Sequence, residues 1–171
     1  TYPRTGKAIT ILKTSAGDIR INLIHRHAAC NDAAFEKLIE AKYFNNTSCH
    51  RMFNSEQGSV LQCGDPTGTG MGDPGFYTPD ELPEYLINAA GAEYGMQAQQ
   101  ITYPKGTVAV ANSGPNTGSG QFFIALTDTQ LAPSYTVIGV VDPADFSILD
   151  KVKGYGIVPV SYTHLTLPTS D

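Results

Sequence analysis

The residue types in this chain that could do chemistry are hydrogen-bonding groups set beside apolar walls. The clearest case is Asn112 to Ile124, NSGPNTGSGQFFI, a polar, turn-rich loop that runs straight into an aromatic strand. Its Asn, Ser, Thr and Gln side chains can donate and accept, while Phe122 and Phe123 supply an apolar wall, which is the composition of a binding groove. The segment just before it, VAVAN from Val108 to Asn112, has small side chains that let a ligand backbone come close. A second candidate is His50-Arg51, on a short expected strand between Cys49 and Met52-Phe53. Strand alternation points the two side chains to opposite faces. Taken alone, an arginine in such a place reads as a salt-bridged edge residue. It acquires meaning only in combination with other residues.

Other patterns offer chemistry and lose it on context. The glycine-rich stretch Gly64 to Gly75, GDPTGTGMGDPG, has no lysine, is interrupted by proline and leads into no helix, so it reads as a structural multi-turn loop and not a phosphate cradle. His25, His27 and Cys30 lie close together after a strand, but a solvated turn is the expected arrangement, and no metal site is expected. No Gly-x-Ser-x-Gly elbow is present, so hydrolase chemistry is unsupported. The three cysteines include no Cys-x-x-Cys pair; a Cys30 to Cys49 disulfide is conceivable in an oxidising compartment, and buried free thiols are the commoner outcome.

Composition narrows the class further. A chain of 171 residues is expected to form one domain with a real core. The net charge of -5 and pI near 5.2 argue against a phosphate-binding surface, so nucleic acid is not an expected partner. No run of about 18 apolar residues is present to cross a bilayer. The sequence starts at Thr1 with no signal-peptide pattern, so an upstream segment is expected to be missing from it. The compartment stays open, cytoplasmic by default, with an extracytoplasmic anchored form as the alternative.

The elements that must hold these residues follow from periodicity. Ile9–Thr14 and Asp18–Leu23 form a hairpin across Ser15-Ala16-Gly17. Asn31 or Asp32 caps a helix that buries Ala34, Phe35, Leu38, Ile39 and Ala41 and runs to Tyr43-Phe44. Short strands are expected around Ser48–Phe53 and Val60–Gln62, and strands resume at Thr107–Ala111, Gln121–Leu126 and Tyr135–Val141. Asp145 caps a second helix carrying Phe146, Leu149 and Val152. Residues 79–104 show no clear element and read as a surface insertion. Seven or eight strands with two helices suggest a closed barrel with helical caps. The tail, 161–171, shows neither strand continuation nor helical period, and Val160–Leu165 resembles the read-through of a transposon-type sequencing adapter. It is expected to be a non-native tail following a domain of residues 1–160, and His164 is given no role.

Taken in order, His50-Arg51, Val60–Gly70 (VLQCGDPTGTG), Ala111–Thr117 (ANSGPNT) and Gln121-Phe122-Phe123 resemble the cyclophilins, a family of peptidyl-prolyl cis-trans isomerases. The resemblance runs from about Ile9 to Val158, takes in the strand Tyr135–Gly139, and has a bacterial, actinobacterial flavour in VLQCGDPTGTG. It implies an eight-stranded antiparallel β-barrel capped by two α-helices, in agreement with the count above. It also implies isomerisation of X-Pro bonds in proline-containing peptides and in unfolded or folding proteins, by a monomer with no cofactor. By position, Arg51 would be the catalytic arginine and His50 its groove neighbour. Gln62 and Gln121 would hydrogen-bond the substrate backbone, and Ala111, Asn112 and Ser113 would pair with the peptide. Phe123 and Leu131 would wall the proline pocket, with Gly70 and Tyr135 also substrate-binding; Tyr135 stands where many relatives have histidine.

Some positions depart from the better-known members. The connection Met52 to Leu61 is longer, and the pocket phenylalanine expected three residues before Gln62 is Ser59, with Val60 a partial substitute. This motivates an alternative reading, a proline-peptide binding module that is catalytically weak. The chain contains no tryptophan, and Gln130 stands where some relatives use one to bind cyclosporin, so weak cyclosporin inhibition is expected. The order of residues around Ser119-Gly120 and Asp73 in place of a frequent glycine are further loop changes.

Overall fold

The computed structural model describes residues 8–90, 99–155, 161–165 and 169–170. The chain opens with strands β1 (Ala8–Thr14) and β2 (Gly17–Leu23), the hairpin expected. Alternation in β2 buries Ile19, Ile21 and Leu23 and turns Asp18, Arg20 and Asn22 outward. Helix α1 (Ala29–Glu40) buries Phe35, Leu38 and Ile39 on one face, the spacing of a single helical stripe. It starts earlier than the expected cap at Asn31 or Asp32, because the carboxylate of Glu81 accepts from the N–H groups of Cys30 (3.2 Å) and Asn31 (2.8 Å). An acceptor fifty residues away thus satisfies the open donors of the first turn and complements the helix dipole.

There follow β3 (Thr47–Ser48), β4 (Arg51–Ser55), β5 (Gly58–Cys63), α2 (Glu84–Ala89), β6 (Ile101–Tyr103), β7 (Thr107–Val110), β8 (Phe122–Ala125), β9 (Thr129–Leu131) and β10 (Val137–Val141). A 3-10 turn, Pro143–Asp145, leads into α3 (Phe146–Gly154), and the described chain ends with β11 (Ser161–Leu165) and β12 (Thr169–Ser170). In α3, Leu149 and Val152 are buried as expected. The Asp145 carboxylate does not cap the helix; it binds Arg20 through Nε (3.0 Å), Nη2 (3.2 Å) and the main-chain N–H (2.9 Å). Residues 79–104, for which no element was expected, supply α2 and β6.

The main sheet is antiparallel, in the order β3-β11-β1-β2-β10-β7-β8-β5-β4, with β12 also on β1, while β6 and β9 form a separate pair. Its two ends, β3 and β4, are neighbours in the chain, linked only by Cys49-His50. The sheet therefore curls until its edges meet through the covalent backbone. Among the described residues no ladder joins β3 to β4, so the barrel is a curled open sheet and not the fully closed one expected. The tail also differs from its expected lack of structure. Residues 161–165 pair with the outer edge of β1, Leu12 opposite Leu165 and Lys13 opposite His164, and with β3. An open edge offers unpaired main-chain groups to any extended segment, and such pairing leaves little trace in apolar periodicity.

Strand alternation divides the interior into two layers. Leu61, Val108, Val110, Phe122 and Ile124 point to the larger core under α1 and α3, where Phe35, Phe44 and Phe122 meet at centroid distances of 5.4–5.6 Å. Ala109, Phe123 and Val137 point the other way and join Ile101 and Tyr103 in a second cluster. That second cluster is the floor of the functional site.

Two further expectations are corrected. Cys49 is bonded to Cys63, and Cys30 is free and exposed. The antiparallel pairing of Arg51 with Gln62 brings the two flanking cysteines together, a proximity hidden by their 14-residue separation. His25 is buried, not solvated, with Nε2 2.5 Å from Glu36 Oε1, whereas His27 is exposed and lies against Tyr85.

Candidate active site

The site is built on the β4–β5 hairpin, which turns at Glu56-Gln57. Gly58 follows at φ +142°, and a Cβ there would fall 2.4 Å from Thr129 Oγ1, so only glycine fits this approach of the hairpin to β9. The hairpin end is held by Ser59 N–H on Thr127 Oγ1 (3.0 Å) and Gln130 N–H on Gln57 O (2.9 Å). Register then decides which side chains share a face: Arg51 lies opposite Gln62, and Phe53 opposite Val60. Gln62 and Val60 in turn lie opposite Phe123 and Ala125 of β8.

Arg51, Phe53, Val60, Gln62 and Phe123 line an open cavity of about 270 Å³, together with Ala111, Asn112, Leu131 and Tyr135. The expected residues Arg51, Val60, Gln62, Ala111, Asn112, Phe123, Leu131 and Tyr135 are thus brought to one groove. Phe53 joins them without having been expected there. His50, Gly70, Ser113 and Gln121 are not on its wall.

Arg51 is exposed, and among the described residues no carboxylate pairs with it. The edge salt bridge that the residue suggests in isolation is absent there, leaving the guanidinium available to a ligand. His50 points away from the groove, against the Gly64–Gly75 loop. A Cβ on Gly70 would sit 3.6 Å from its ring, and its Nδ1 is buried with no hydrogen-bond partner among the described residues. Burial lowers the His50 pKa below its ordinary value; nearby Asp65 opposes that shift and Arg51 adds to it. The neutral ring is the favoured form at neutral pH.

Gln62 is oriented from behind. Its Nε2 donates to Gln121 Oε1 (2.8 Å), and Gln121 Nε2 donates to the carbonyls of Gly70 (2.9 Å) and Gly72 (3.1 Å). The loop bearing those glycines is organised by Asp65, whose fully buried carboxylate accepts from the N–H groups of Thr67, Gly70 and Gly72 and from the Thr67 hydroxyl. Burial alone would raise its pKa, but these hydrogen bonds prevail and hold it at about 2. The glycine-rich segment is therefore a scaffold around one carboxylate, and Gln121 is a positioning residue for Gln62.

Across the groove, the Asn112 side chain is committed at both ends. Its Nδ2 donates to Ser134 O (2.9 Å), and its Oδ1 accepts from Gly114 N–H (3.2 Å). What Asn112 can offer a ligand is its main chain. Ser113 N–H is taken by Thr117 Oγ1 (2.8 Å), within the turn that follows. The floor is aromatic: Phe123 meets Tyr135 edge-on at 5.2 Å, and the buried Tyr103 meets both rings at 6.1–6.3 Å. Tyr103 donates its hydroxyl to Ala132 O (2.9 Å), which ties β6 to the segment after β9. Burial raises the Tyr103 pKa well above that of an ordinary phenol, so this donor keeps its proton.

Ser59 does not face the groove. It is an odd number of residues from Gln62, so it lies on the core side with Leu61 and Cys63. There it is buried, and its hydroxyl bonds the Asn54 side chain. Phe53 on the cavity wall, Tyr103 beneath its floor and Asp65 in the supporting loop are absent from the site residues expected from sequence. Phe53 had a usable signal, since it follows Arg51 by two residues and must share its face.

Sequence and structure comparisons place the chain among known relatives. The profile of the family described as cyclophilin type peptidyl-prolyl cis-trans isomerase/CLD matches residues 9–166. The chain is 37% identical over 162 residues to a probable peptidyl-prolyl cis-trans isomerase B of Mycobacterium tuberculosis, covering 91% of this chain and 52% of that protein. It is 39% identical over 164 residues to the protein of the same name in Mycobacterium leprae, covering 91% and 54%. The chain thus spans about half the length of these curated relatives. A crystal structure of a cyclophilin type peptidyl-prolyl cis-trans isomerase from Cryptosporidium parvum superposes with a TM-score of 0.76 at 24% identity, covering 96% of this chain and 99% of that one. At that identity the likeness is one of fold.

Proposed function

The chain belongs to the cyclophilin-type peptidyl-prolyl cis-trans isomerase family, and we propose that it accelerates rotation about X-Pro bonds in peptides and in folding proteins. The observation that carries this reading is an exposed arginine, without an ion pair among the described residues, over an apolar pocket, with a positioned glutamine opposite it in register.

Rotation about a peptide bond meets a barrier of about 18–20 kcal/mol, because twisting breaks amide resonance. No covalent bond is cleaved, so no nucleophile is needed. In the twisted state the prolyl nitrogen regains its lone pair and becomes a hydrogen-bond acceptor. A guanidinium, always protonated, stabilises that acceptor more than it stabilises the planar amide, and only such a difference speeds the reaction. Arg51 is the group in the groove able to do this. Phe123, Leu131 and Val60 hold the proline ring, while the Asn112 main chain and Gln62 anchor the flanking residues. One side of the bond is held and the other turns.

The binding-module alternative drew its support from Ser59, and Ser59 faces the core, so nothing in the groove favours that reading. Exchange NMR on a short Ala-Pro peptide tests the proposal. Accelerated cis-trans exchange at catalytic protein concentration is the expected result. Peptide binding without acceleration would overturn the enzymatic reading.

A further inference from the structure

We infer that Phe53 is a substrate-facing wall of the proline pocket, supplied by β4, and that it sets the groove's affinity for the prolyl side of the peptide. The inference rests on the isomerase reading and names a residue of the same site. Phe53 lies on the last strand of the main sheet, directly opposite Val60 and two residues from Arg51. Its neighbour Met52 packs against the larger core, so alternation turns Phe53, like Arg51, to the groove. The ring is 36% exposed, whereas Phe35, Phe44, Phe122 and Phe123 are at most 5% exposed. Among the described residues no further strand lies beyond β4 to cover the outer side of the ring, and the exposed part of the ring is open to a ligand.

The chemistry follows from what surrounds it. Val60 and Phe53 lie side by side on β5 and β4 and both line the cavity, so its apolar wall continues from β5 to the rim on β4. Without Phe53 the wall would end at Val60, a small side chain at the margin of an open groove. Ser59 cannot fill that place, because it faces the other side of β5. A flat, rigid ring at the edge of an apolar pocket suits the puckered face of a pyrrolidine, and its burial there removes apolar surface from water. The wall is present before and during rotation, so it contributes chiefly to binding and little to stabilising the twisted state.

The test compares the whole chain with F53A and F53L, using an Ala-Pro peptide as probe. Kd is read by NMR titration, and kcat and KM by exchange spectroscopy. Phe53 is at a solvent edge, so both variants should fold, checked by an unchanged amide spectrum outside the groove. The expected result is a Kd and KM raised about tenfold in F53A, with kcat within about threefold of the parent, and partial recovery in F53L. A purely structural contribution would not split KM from kcat in this way. If the parent isomerises and F53A binds and turns over as the parent does, the inference is overturned and the isomerase reading stands. If the parent binds without isomerising, the isomerase reading falls, and Kd alone decides: weaker binding by F53A supports the wall, equal binding removes it.

Discussion

Gln62 Nε2 donates to Gln121 Oε1 at 2.8 Å, and this bond connects the groove to a buried carboxylate beyond it. Gln121 is held by the carbonyls of Gly70 and Gly72, and the N–H groups of the same two glycines are held by Asp65. A glutamine amide has several rotamers of similar energy in water, and fixing one in advance lowers the entropy lost on binding. The glycine-rich loop therefore positions Gln62 from behind the cavity wall.

Arg51→Ala should leave the fold intact, because Arg51 is exposed and makes no ion pair among the described residues. Removing a donor aimed at the twisted state should lower kcat by about two to three orders of magnitude, with a much smaller change in peptide Kd. Exchange NMR beside a thermal melt reads both. Full activity in this variant would remove Arg51 from the mechanism.

Acid should loosen the loop before the core. Asp65 has a folded-state pKa of about 2 against an ordinary 3.8, so its stabilisation is fully present above about pH 4 and is lost as pH falls toward 2. The shift corresponds to roughly 2 kcal/mol. His50 acts at higher pH: its pKa is lowered by burial, so its contribution is complete above the ordinary value of 6.5 and declines as pH falls below it. Asp65→Asn should weaken the protein at neutral pH and flatten the step between pH 4 and 2, followed by denaturant melts across pH. A variant that keeps the parent's acid profile would show that Asp65 does not organise the loop.

The thiols can be counted. With Cys49 bonded to Cys63, an aromatic disulfide reagent should titrate a single thiol, Cys30, in the native and the denatured unreduced protein. Three should appear after reduction. The bond closes a loop of about 15 residues, for which chain entropy suggests a loss of about 3 kcal/mol in the Cys49→Ser, Cys63→Ser double variant. Three reactive thiols before reduction would exclude the bridge.

Cyclosporin should inhibit weakly. The chain has no tryptophan, and Gln130 Nε2 is engaged with Thr102 Oγ1 at 2.5 Å on the exposed side of β9. An inhibition constant in the micromolar range or above is expected; nanomolar inhibition in the exchange assay would contradict it.

The apolar periodicities of β1, β2, α1 and α3, and the polar loop leading to Phe123, are local properties. They follow from side-chain alternation and helical spacing, which the sequence carries by itself. The resemblance likewise named most of the groove, because its residues stand in short ordered motifs. What tertiary structure alone decided depends on register and on distant partners. Glu81 caps α1 from fifty residues away, Cys63 meets Cys49 because Arg51 pairs with Gln62, and Asp145 binds Arg20 from across the fold. The β4–β5 register places Phe53 beside Val60 and turns Ser59 to the core. Shifting a strand by one residue exchanges its two faces, and no residue type records which register the fold adopts.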